Sequence, residues 1–103
     1  MAATVSVTQG DLTGSGTIDK LFTGAATRKI AFSVIFENVT GGDTELTLYL
    51  NGNDADHRYG GEMAMVDNDK IIWKEVIGPT DEIYAASSSA STPVHWTLTV
   101  IKD

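Results

Sequence analysis

Between Lys29 and Asn38 every second residue is large and apolar: Ile30, Phe32, Val34 and Phe36 share one face, while Ala31, Ser33, Ile35 and Glu37 share the other. A period of two is the signature of a β-strand with one buried face, and a helix cannot present it. The pattern recurs from Glu45 to Asn51, where Leu46, Leu48 and Leu50 alternate with Thr47 and Tyr49. It returns from Val94 to Ile101, with Val94, Trp96, Leu98 and Val100 on one side and His95, Thr97 and Thr99 on the other. A chain with three such strands must find a second layer to cover their apolar faces.

Shorter runs fill the intervals: Thr4–Thr8, Thr17–Phe22, Glu62–Val66, Ile71–Val76 and Glu82–Ser87. Turn chemistry separates them at Gly14-Ser15-Gly16, Gly24-Ala25-Ala26, Gly41-Gly42-Asp43, Asn51-Gly52-Asn53, Gly60-Gly61, Asp67-Asn68-Asp69 and Gly78-Pro79-Thr80-Asp81. Thirteen threonines and ten glycines suit strands and turns better than helices. The expected fold is all-β, a single-domain antiparallel β-sandwich of jelly-roll type with seven or eight strands over residues 1–103. Thr8–Thr17 holds three glycines and little apolar matter, so residues 1–16 are expected to form a flexible N-terminal arm.

Charge removes whole classes of function. Seven Lys and Arg against fourteen Asp and Glu leave a net charge of −7, the wrong sign for a nucleic-acid or anionic-membrane binder. Apolar residues make up 42% of the chain, enough for a packed core, yet no apolar run exceeds four residues. Neither a signal-peptide core nor a membrane span is expected from such a sequence. Cysteine is absent, so burial alone must hold the domain, with no disulfide and no thiolate metal site.

Chemistry-bearing residues are few. The two histidines, His57 and His95, lie outside any nucleophile elbow, phosphate-binding loop or zinc-binding helix motif. The acidic stretch Asn51–Asp69 carries Asp54, Asp56, Glu62, Asp67 and Asp69, an oxygen-rich set that suits a hard cation. It lacks the glycine and the closing glutamate of a calcium loop, so these carboxylates are expected to cap their own turns. No catalytic residue, cofactor site or metal site is expected.

The remaining signal is apolar and aromatic. Tyr49 and Tyr84 stand opposite the apolar faces of their strands and are expected to be exposed on a sheet or at a contact. Tyr59, Met63, Met65 and Trp73 are large groups near loops, fit for a partner surface or for a core. Val5 and Val7 would be free to join a neighbouring sheet if the first strand is an arm. These eight residues, Val5, Val7, Tyr49, Tyr59, Met63, Met65, Trp73 and Tyr84, are the expected interface set. Trp96, sharing a face with Leu98 and Val100, is expected in the core.

Three segments of the first half, Leu21–Ile30, Val34–Thr40 and Leu46–Asn51, together with Asp67–Trp73 and Ile77–Ala85, resemble small all-β virion proteins of tailed bacteriophages. The resemblance lies in strand, short turn, strand ending Asn38-Val39-Thr40, then the strand Thr47-Leu48-Tyr49-Leu50. It implies a non-enzymatic structural component, a capsid decoration or a neck or tail module, that self-associates or binds a repeating surface. It also implies virion proteins as partners, a homo-oligomer, and a virion location after synthesis in the host cytoplasm. A carbohydrate-binding sandwich and a calcium-dependent adhesion module are the alternatives, the first needing exposed coplanar aromatics, the second a metal at Asn51–Asp69.

Overall fold

The structure, a computed structural model, describes residues 4–39, 42–89 and 91–102. Met1–Ala3, Thr40, Gly41, Ala90 and Asp103, each part of a segment read above, lie outside the described residues. Eight strands follow one another: β1 Thr4–Asp11, β2 Ile18–Thr23, β3 Ile30–Asn38, β4 Thr44–Leu50, β5 Met63–Met65, β6 Lys70–Ile77, β7 Glu82–Ser87 and β8 Val94–Lys102. The helical element among the described residues is one 3₁₀ turn at Ala55–His57.

The strands form two antiparallel four-stranded sheets, β1-β8-β3-β6 and β2-β7-β4-β5. Two interleaved Greek keys with this order make a jelly roll, so the expected sandwich is present. The alternation of β3 survives intact: Ile30, Phe32, Val34 and Phe36 are all buried against the second sheet. Leu98 and Val100 extend that face from β8, and Leu46, Leu48, Ile83 and Ala85 answer from the opposite sheet. Phe32 meets Trp73 edge-on with ring centroids 5.2 Å apart, a favoured aromatic geometry.

Local chemistry fixes the joints. Asn38, fully buried at the end of β3, donates from Nδ2 to the carbonyls of Gly42 (2.7 Å) and Met65 (3.0 Å). Its own carbonyl accepts from Asn68 N at 2.8 Å, and its N–H donates to Asp69 O at 3.0 Å. One residue thereby ties the β3–β4 turn, β5 and the β5–β6 turn together, the first two by its side chain and the last by its backbone. In β2 the run Leu21-Phe22 breaks the period of two, and the pairing with β7 slips there as a bulge.

The first strand runs past the Thr4–Thr8 segment that the sequence predicts. It continues through Gln9 and Gly10 to Asp11, paired with β8 from Thr4↔Lys102 to Asp11↔His95. Gly10, one of the three glycines of Thr8–Thr17, lies in the ladder with the Trp96 indole over it. A Cβ at Gly10 would stand 2.8 Å from Trp96 Cζ2, so that close approach requires glycine. Trp96 is accordingly half-buried at the margin of the core rather than inside it. Beyond the strand, Thr13 is held by Asp19, through N at 2.7 Å and Oγ1 at 2.8 Å.

Candidate interaction surface

The pairing register sorts the residues of the first sheet onto two faces. On the face turned away from the core, Val5, Ile101, Ala31 and Val76 stand in one row across the four strands. The next rows hold Val7, Thr99, Ser33 and Lys74, then Gln9, Thr97, Ile35 and Ile72. Asp11, His95, Glu37 and Lys70 close the series. One wholly apolar row and two mixed rows therefore end in a charged one.

These apolar groups face solvent. Val5 is 62% exposed, Val7 61%, Ile72 57%, Val76 62% and Ile101 48%. Ala31, Ile101 and Val76 with Ser33, Lys74 and Thr99 line a shallow concavity of about 480 Å³. Exposed apolar groups gathered on one sheet face make that face the candidate interaction surface. The charged row is already internally matched: His95 Nδ1 lies 3.0 Å from Asp11 Oδ1, and Lys70 Nζ lies 3.9 Å from Glu37 Oε2.

The strands bounding this face, β1 and β6, are both edges. Residues 4–9 of β1 are exposed on both faces, so the core-side residues Thr4, Ser6 and Thr8 lie open like Val5 and Val7. An edge strand of this kind leaves a row of backbone donors and acceptors without strand partners.

The expected interface residues divide. Val5 and Val7 lie on the exposed face just described. Tyr49, expected to be exposed, is 6% exposed, because the segment after β4 folds back and pairs Arg58 with Tyr49. Met65 and Trp73 are buried and belong to the core; Met63 is half-buried against it. Tyr59 leans over Trp73 at 5.5 Å between centroids and donates its hydroxyl to Glu75, closing the side of the sandwich. That bond to a carboxylate holds the Tyr59 phenol above its ordinary range. Tyr84, half-buried, donates to Glu82 at 3.0 Å. Apart from the Phe32, Trp73 and Tyr59 contacts the aromatic rings stand apart, and they make no coplanar exposed platform among the described residues.

The acidic stretch serves its own turns. Asp54 Oδ1 accepts from Asp56 N at 3.1 Å and meets His57 Nδ1 at 2.6 Å, and His57 holds the Asp54 carboxyl below the usual range. Asp69 Oδ2 accepts from Val66 N at 2.8 Å. On the outer face of the second sheet Glu45 is raised above the usual carboxylate range by its hydrogen bond and charge contact with Glu62. Among the described residues no three His, Asp or Glu side chains gather around a common point.

Ile35, Ile72, Val76 and Ile101 escaped the sequence reading, although they complete the exposed face. Their signal was an apolar residue on the face of the strand that alternation assigns to water, as Ile35 between Ser33 and Glu37.

Fold and surface together define an acidic jelly-roll domain with one apolar sheet face and two open edges. No protein-family model matches the sequence, and no curated protein matches it either. Among solved structures the fold is similar to a chain of Bacillus endospore appendages, described as a novel family of disulfide-linked pili. That match has a TM-score of 0.63 and 11% identity, and it covers 96% of this chain and 86% of that one. Chains of infectious bursal disease virus, strains Gx and Gt, align with TM-scores of 0.46 and 0.44 at 14% and 15% identity. Both cover 96% of this chain, which spans 32% of each viral chain.

Proposed function

We propose that this chain is a non-enzymatic building block of a repeating protein particle, and that the particle is the virion of a tailed bacteriophage. There it would serve as a capsid decoration or as a neck or tail module. One observation carries the reading: the outer face of the β1-β8-β3-β6 sheet keeps Val5, Val7, Ile72, Val76 and Ile101 exposed between two unpaired edges. Such a face costs solubility in a lone domain and is offset when a neighbour covers it. The resemblance of Leu21–Ala85 to phage virion proteins supplies the choice of particle. The fold similarity to a pilus-forming protein is in keeping with assembly from jelly-roll subunits. Those pili are disulfide-linked, whereas this chain has no cysteine, so its contacts would be non-covalent.

Sedimentation velocity of the purified protein at rising concentration tests the reading. Oligomers are expected, and an Ile72→Lys, Val76→Lys double variant should remain folded by circular dichroism while losing them. A single-copy mass at every concentration, with no co-sedimentation with phage particles, would overturn it.

A further inference from the structure

The two open edges of the first sheet are complementary to each other. Alternate strands of an antiparallel sheet run in opposite directions, and β1 and β6 are the first and fourth of four. A second copy set beside the first in the same sense therefore brings its β6 antiparallel to β1, the direction an added strand needs.

The rows across the sheet offer a register for that addition. Continuing each row into the next copy pairs Val5 with Val76, Val7 with Lys74, Gln9 with Ile72 and Asp11 with Lys70. The first pair joins two valines that are each 62% exposed in the single copy. The last joins opposite charges: the Asp11 side chain is 65% exposed and that of Lys70 63%. Lysines on an edge strand repel indiscriminate pairing, and here the incoming strand supplies a carboxylate opposite one of them. On the other face the register sets Ser6 beside Glu75 and Thr8 beside Trp73.

We infer that copies of this chain join head to tail, the β1 edge of one adding to the β6 edge of the next to make a continuous antiparallel sheet. The inference rests on the assembly reading above and names its partner, a second copy. The contact is heterologous, so it propagates, and sheet twist of roughly −20 to −25° per strand winds the row into a helix or a ring.

The lack of native cysteine makes a direct test available. Facing residues of an antiparallel pair stand about 4.5–5.5 Å apart at Cα, within disulfide reach. Within one copy, positions 5 and 76 are separated by three strand spacings, roughly 14 Å, which no disulfide spans. A Val5→Cys, Val76→Cys variant, mildly oxidised, should give a ladder of covalent multimers on a non-reducing gel. Each single variant should stay monomeric on the gel, and a mixture of the two should yield dimers only. Charge exchange supplies the second arm: Asp11→Lys alone should weaken association roughly tenfold, and adding Lys70→Asp should restore it. A double-cysteine variant that assembles by sedimentation yet forms no ladder overturns this edge pairing and leaves the assembly reading standing. A variant set that neither assembles nor cross-links overturns both.

Discussion

Glu82 shows how much a single exposed side chain can organise. Its carboxylate accepts from Tyr84 (3.0 Å) and Lys20 (3.2 Å), joining β2 to β7 across the outer face of the second sheet. These partners, the Tyr84 hydroxyl first, hold Glu82 below its ordinary value of 4.5. A carboxyl with a depressed folded pKa adds stability that is complete above its unfolded pKa and is lost as pH falls through the folded one. Glu82→Gln should therefore flatten the acid limb of a plot of Tm against pH, the gap from the parent being fullest near neutral pH and closing as Glu82 protonates. Thermal melts from neutral pH down to about pH 3 measure this, and an unchanged acid limb would count against the bond. Asn38 is the opposite case, a buried polar residue whose hydrogen bonds are made to backbone at three joints. In the sequence it reads only as the end of a strand, because all its named partners but Gly42 are distant along the chain.

At the scale of the element, sequence was most informative where one face is buried and the other is wet. The strands β3, β4 and β8 are legible for that reason: the core punishes any polar residue on the inner face. Tyr49 was misread because alternation reports the sheet's own core and cannot see a later segment, here Arg58, laid over the outer face. Strand order was not legible at all, since any of several orders would satisfy the same alternation. The strand β1 was legible as a strand but not in its extent, because Gln9, Gly10 and Asp11 carry no apolar period; what keeps them in place is the ladder with β8 and the Trp96 ring over Gly10. With residues 4–9 exposed on both faces, β1 has few buried contacts to slow its opening. Amide exchange followed by NMR should show β1 exchanging through local fraying, at rates well above those of β3, which exchanges only with global unfolding. Equal protection of β1 and β3 in dilute, monomeric protein would contradict this.

For the whole molecule, charge and apolar area oppose each other. A net charge of −7 on each copy repels its neighbours, while the exposed valines and isoleucines of one sheet face attract them. A Debye length of about 10 Å at 0.1 M salt falls to about 3 Å at 1 M, which screens the repulsion and leaves the apolar term. Association measured by sedimentation should accordingly strengthen as sodium chloride rises, whereas dissociation by salt would assign the contact to ion pairs.

The placement of the two tryptophans gives the molecule two optical reporters. Trp73 is sealed between Phe32 and Tyr59, while Trp96 lies half-covered over Gly10. A departure of β1 would wet the Trp96 indole and shift its emission to the red, leaving Trp73 dark to the event. Unfolding of the sandwich would shift both. A Trp73→Phe variant therefore emits from Trp96 alone, and its colour follows the first strand without any attached dye.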